Sequence, residues 1–112
     1  MAIRQELNDR PMEAGMVLSN EPALYRQGEY GLRTENMMVC VEDESTEFGN
    51  FLSFDTLTLC PIDIQAIESG LLSPEEKNWL NDYHQQVYNE LAPRLSDELK
   101  AFLFDLTRPV GD

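Results

Sequence analysis

Residues 16–36 read MVLSNEPALYRQGEYGLRTEN, and the conformation of this stretch decides what the rest of the chain can be. Glu21 precedes Pro22, and the proline ring disfavours the helical region for the residue before it, so the segment is extended. Apolar Met16 and Leu18 alternate with Val17 and Ser19 before Asn20 and Pro22 turn the chain, as in a half-buried strand entering a turn. Beyond Gly28 and Gly31, residues 32–41 are rich in apolar and β-branched side chains and predict a second strand. The two runs predict a long-looped antiparallel hairpin. Period-two alternation then puts Arg33, Glu35 and Met37 on one face and Thr34 and Asn36 on the other.

A glutamate between apolar neighbours on a core-bound strand is costly unless it is paired or bound to metal. On these grounds Glu35 is a candidate site residue. A salt bridge from Glu35 to Arg33 or to a neighbouring strand, or a solvated strand face, would explain it as well.

The E-P-x-x-Y run at Glu21 to Tyr25 and the G-x-R-x-E-N run at Gly31 to Asn36 resemble the last two metal-binding segments of the creatinase and aminopeptidase P family. The members nearest to this pattern are Xaa-Pro aminopeptidases, which remove an N-terminal residue preceding proline. Further on, L-T-L-C-P-I at Leu57 to Ile62 and W-L-N-D-Y-H at Trp79 to His84 resemble the C-terminal extension of the long members, so the likeness runs through almost the whole chain. Ala23 departs from the pattern, where the family more often has glycine.

The resemblance implies an α+β chain holding part of the family's "pita-bread" fold: antiparallel strands, a hairpin plus a third strand, followed by two C-terminal helices. It divides the chain into residues 1–62, the end of the catalytic domain, and residues 63–112, a helical extension packed on it. It implies that Glu21 binds one ion of a dinuclear centre and accepts a proton from the attacking water, that Glu35 bridges both ions, and that Arg33 orients a ligand carboxylate. Two such ions lower the pKa of a shared water and polarise the scissile carbonyl. Carboxylate ligands suit a hard ion, manganese first, with zinc or cobalt as alternatives.

The family's centre also uses two aspartates and a histidine from upstream, and residues 1–14 match neither segment. The chain therefore reads as the C-terminal piece of a larger enzyme, holding metal weakly and inactive by itself. The alternative is a non-enzymatic interaction or dimerisation module derived from the same fold. Unpaired strand edges left by a partial sheet predict self-association into a homo-oligomer. Proline-containing peptides are the expected partners of the complete enzyme.

His84, the only histidine, falls on a helical stripe with Trp79, Leu80, Tyr83, Val87 and Leu91, which favours packing or hydrogen bonding over metal binding. The aromatic residues Trp79, Tyr83 and Tyr88 are expected in the core. The helix carrying them starts with Ser73 as cap, Pro74 at its first position and Glu76 closing an S-x-x-E capping box, and it ends near Ala92. A last helix begins at Ser96, with Asp97 and Glu98 in its first turn, and stops at Arg108 and Pro109. Residues 43–50 are acidic and read as an exposed loop, and residues 51–60 as a third strand ending at Pro61.

Composition narrows the remaining classes. The net charge of −13 over 112 residues argues against nucleic acid, whose phosphates would be repelled. No apolar run approaches the ~20 residues of a membrane span. Residues 1–10 lack the pattern of a secretion signal, so a cytoplasmic protein is expected, with Cys40 and Cys60 as reduced, buried thiols.

Overall fold

The computed structural model describes residues 9–111. The chain divides into two compact units, Met1–Thr58 and Leu59–Asp112.

The first unit contains five strands: β1 (Val17–Asn20), β2 (Ala23–Arg26), β3 (Tyr30–Arg33), β4 (Asn36–Thr46) and β5 (Gly49–Thr56). They form a three-stranded sheet in the order β1-β4-β5 and a two-stranded ribbon of β2 and β3. Both antiparallel pairs around the quoted stretch share one register. Val17 faces Val39, Asn20 faces Asn36, Ala23 faces Arg33 and Arg26 faces Tyr30, so every facing pair of residue numbers adds to 56. The expected hairpin is therefore present, but the expected strand over residues 32–41 is split: β3 ends at Arg33 and β4 begins at Asn36. Pro22 has no N–H to give to a ladder, and there the Thr34 N–H bonds to the Pro22 carbonyl at 3.3 Å. At the far end the Glu29 N–H bonds to the Arg26 carbonyl at 3.1 Å around Gly28, whose φ of 76° is the left-handed turn position that glycine takes without strain.

The acidic loop expected over residues 43–50 is instead the end of a second hairpin. β4 runs on to Thr46, and Thr46 pairs with Gly49, leaving Glu47 and Phe48 at the tip. Acidic side chains mark solvent exposure, and an exposed two-stranded ribbon satisfies them as well as a loop does; a bulge between Glu42 and Ser45 absorbs the irregularity. The third strand is shorter than expected and stops at Thr56. Past that point Leu57 N–H still bonds to the Met37 carbonyl, while the Thr58 hydroxyl replaces a backbone acceptor for the Met37 N–H, each at 2.8 Å. Leu18 and Cys40 are the buried apolar side chains of this unit among the described residues.

The second unit is built on two helices, α1 (Pro74–Leu91) and α2 (Asp97–Leu106). Ser73 and Glu76 form the expected reciprocal capping box, and Ser96 caps α2. Tyr83, Val87, Ala92 and Leu103 make the core, with Ile62, Tyr88, Leu91 and Leu95 packed against it. The buried stripe of α1 is Leu80, Tyr83, His84 and Val87, an i, i+3, i+4, i+7 set. Trp79 is not in the core as expected. One residue from Leu80, it is rotated by about 100° around the helix axis, remains 52% exposed and stacks on Tyr83 with ring centroids 5.5 Å apart.

Two side chains of α1 strap the segment that leads into this unit. The Tyr83 hydroxyl donates to the Cys60 carbonyl at 2.8 Å, and His84 Nε2 accepts from the Ile62 N–H at 3.0 Å. His84 is fully buried, and desolvation pushes its pKa below the ordinary 6.5. Cys40 is buried and free, whereas Cys60 is free and exposed, against the expectation that both are buried: it sits in the irregular segment after β5 rather than within a strand.

Candidate metal-binding site

Glu21 lies one residue past β1 and Glu35 one residue before β4. Both ladders obey the same register, and continuing it across the gap sets Glu21 opposite Glu35. Where the ladder lapses at Pro22, the continued register sets positions 21 and 35 opposite each other.

Glu21 is held at both oxygens. The Ser19 hydroxyl donates to Oε1 at 2.7 Å, and the Arg33 guanidinium, reaching from β3, pairs with Oε2. Arg33 also donates from Nε to the Tyr25 phenol oxygen at 3.2 Å, and from its second terminal nitrogen to the same atom. Its charge is stabilised beyond the usual arginine level, first by the hydrogen bond to Tyr25, with Glu21 and Glu35 adding to it. Such a fork, with one arm on a phenol and one on a carboxylate, uses the planar geometry that distinguishes arginine from lysine.

Glu35 makes no hydrogen bond or ion pair with another described residue and is exposed, as are the side chains of Glu21 and Arg33. Of the readings open for Glu35 in the sequence, its exposure matches the solvated strand face. Glu35 is not a buried charge, because the face carrying Met37 is open in this chain. Nor does Arg33 neutralise Glu35, because it engages Glu21 across the hairpin instead. Tyr25 is the Arg33 partner that sequence reasoning passed over. Its signal was present in its register partner, Gly31, which offers no side chain of its own.

As a donor set, two carboxylates brought opposite each other suit a hard divalent cation. One of them is oriented by two donors, and the other makes no hydrogen bond or ion pair with another described residue. No group of three or more histidine, cysteine, aspartate or glutamate side chains arranged to hold a metal occurs among the described residues. His84 is already engaged with Ile62 in the second unit.

Comparison with known proteins bears on the family and the fold. Residues 2–42 match the model of metallopeptidase family M24, and residues 50–110, over half of the chain, match the C-terminal region of peptidase M24. The chain is 38% identical over 104 residues to a probable Xaa-Pro aminopeptidase P of Coprinopsis cinerea, covering 90% of this chain and 17% of that protein. It is 37% identical over 105 residues to aminopeptidase P1 of Lotus japonicus, covering 90% and 16%. Among solved structures it resembles an X-prolyl aminopeptidase from Caenorhabditis elegans, described as a cytosolic enzyme with a di-nuclear active site. The TM-score there is 0.77 at 36% identity, over 88% of this chain and 17% of that one. The chain thus spans about a sixth of the length of these relatives, and its antiparallel strands followed by two helices are the α+β architecture of the aminopeptidase structure. It belongs to the M24 metallopeptidase family and corresponds to that family's C-terminal region.

Proposed function

We propose that this chain supplies two metal-binding carboxylates, Glu21 and Glu35, to a dinuclear aminopeptidase that removes the N-terminal residue ahead of proline. The observation that carries this reading is the shared register that sets the two glutamates opposite each other at the break in the hairpin. Its support from relatives is their description as Xaa-Pro aminopeptidases and, for the solved structure, a di-nuclear active site.

Two divalent ions, manganese in the first place, would when bound polarise the scissile carbonyl and acidify a water. This chain's own residues have narrower tasks. Glu35, which makes no hydrogen bond or ion pair with another described residue, would be available as a ligand. Glu21 is fixed by Ser19 and Arg33, yet each carboxylate oxygen keeps a further lone pair, so it can act as a ligand and receive a proton. Residues 1–62 would complete a catalytic domain, with residues 63–112 as its helical extension. We read the whole protein as a cytosolic enzyme acting on proline-containing peptides, and this chain by itself as inactive, since two carboxylates alone make a poor cage for two ions.

Xaa-Pro peptide hydrolysis by the full-length protein, with its Glu21→Gln variant, tests the reading. Losing a residue that binds metal and takes a proton is expected to lower kcat by at least about 100-fold. Undiminished hydrolysis in the variant would overturn the assignment, and no hydrolysis by the metal-loaded parent would favour a non-enzymatic module.

A further inference from the structure

The base of β4, from which Glu35 emerges, is supported differently at its two edges. On one edge β1 pairs with it, Asn20 facing Asn36 and Ser19 facing Met37. On the other edge β5 has already ended at Thr56, which faces Met38. Continuing that register sets Met37 opposite Leu57, and the facing residues of a hydrogen-bonded antiparallel pair exchange two backbone bonds. Half of the exchange is made: the Leu57 N–H donates to the Met37 carbonyl at 2.8 Å. The Met37 N–H donates instead to Oγ1 of Thr58, also at 2.8 Å. The chain thus leaves the sheet one residue early, and a side-chain hydroxyl replaces the backbone acceptor. Both backbone groups of a residue point to the same edge of an antiparallel strand, so Met37 cannot turn to β1 for another partner.

We infer that Thr58 is a positioning residue for Glu35: its hydroxyl closes the ladder at the base of β4 and holds the backbone from which the Glu35 carboxylate projects. The inference rests on the metal-binding reading of Glu35. On the ribbon side of Glu35 the hold is a 3.3 Å bond from the Thr34 N–H to the Pro22 carbonyl, beside a residue with no N–H to return. The firmer hold is on the β4 side, where two 2.8 Å bonds tie Met37 to residues 57 and 58. Met37 is two residues from Glu35, on the same face of the strand. Valine at position 58 would keep the shape of threonine while removing the oxygen that accepts.

The test uses the full-length protein with Thr58→Val and Thr58→Ser. Deuterium exchange of the Met37 amide, read by mass spectrometry with residue-resolved fragmentation, is expected to be at least about 10-fold faster in Thr58→Val. Thr58→Ser keeps the acceptor and the parental exchange rate. Manganese affinity, measured by calorimetry, follows the same order, falling about 10-fold in Thr58→Val and recovering in Thr58→Ser. Ser73→Ala, which loses a helix cap in the other unit, keeps the parental affinity. Unchanged Met37 exchange in Thr58→Val overturns the inference, and so does faster exchange with undiminished affinity. Thr58→Ala, a second variant without the hydroxyl, decides by the same readings if valine disturbs the fold. An equal loss of affinity in Ser73→Ala or Thr58→Ser would show that the metal reports general stability or side-chain volume, which also overturns it. No manganese binding by the parent would sink the metal-site reading and this inference with it, whereas parental binding that Thr58→Val leaves intact sinks the inference alone.

Discussion

Arg33 carries the densest set of interactions at the candidate site, reaching Tyr25 and Glu21 at once. A lysine has one ammonium on a flexible stem and cannot span both partners. Arg33→Lys is therefore expected to weaken manganese binding by the full-length protein about 10-fold, measured by calorimetry; unchanged affinity would show that the fork is incidental. His84 supports a different prediction. Its folded pKa lies below the ordinary 6.5 because burial penalises the charged ring, so the unfolded chain binds the proton more readily. Stability is then fully present above about pH 6.5 and falls as the pH drops through that value toward the folded pKa. His84→Gln, which keeps an acceptor for the Ile62 N–H, should flatten this slope in urea titrations across that window. An identical slope in the variant would show that other groups dominate. The sequence foretold that His84 packs and hydrogen-bonds. It could not reveal that Glu35 is exposed, because exposure depends on what lies over the strand face and not on the strand's own alternation.

Among the elements, the helices were the most legible. Capping boxes and apolar spacing are local signals, and α1 and α2 start where Ser73 and Ser96 require. Ser73→Ala should cost about 1 kcal/mol through the lost cap, and Leu103→Ala about 3 kcal/mol from the core that α1 and α2 share, both read from urea unfolding followed by circular dichroism. Equal effects of the two would contradict the assigned core. The strands were less legible. Breaking β3 from β4 at Thr34 and Glu35 follows from Pro22 on the facing strand, which is a non-local cause. The residues 43–50 ribbon was hidden because its acidic composition imitates a loop, while its pairing is set by the register of β4 with β5.

At the scale of the whole molecule, the first unit leaves Val17, Met37, Phe51 and Phe54 exposed, and Phe48 at the hairpin tip is 86% exposed. An apolar surface of that kind favours association, whereas the net charge of −13 opposes it through a repulsion that salt screens. Sedimentation of this chain should show self-association that grows with ionic strength; a monomer at high concentration and high salt would contradict it. The family was legible from E-P-x-x-Y and G-x-R-x-E-N, since motifs survive in a chain spanning about a sixth of its relatives' length. The central claim is that Glu21 and Glu35 face each other to hold metal. Its most direct test is the manganese stoichiometry of the full-length protein and its Glu35→Gln variant, measured by calorimetry. The account predicts two ions in the parent and loss of at least one in the variant, and two ions held with unchanged affinity by the variant would contradict it.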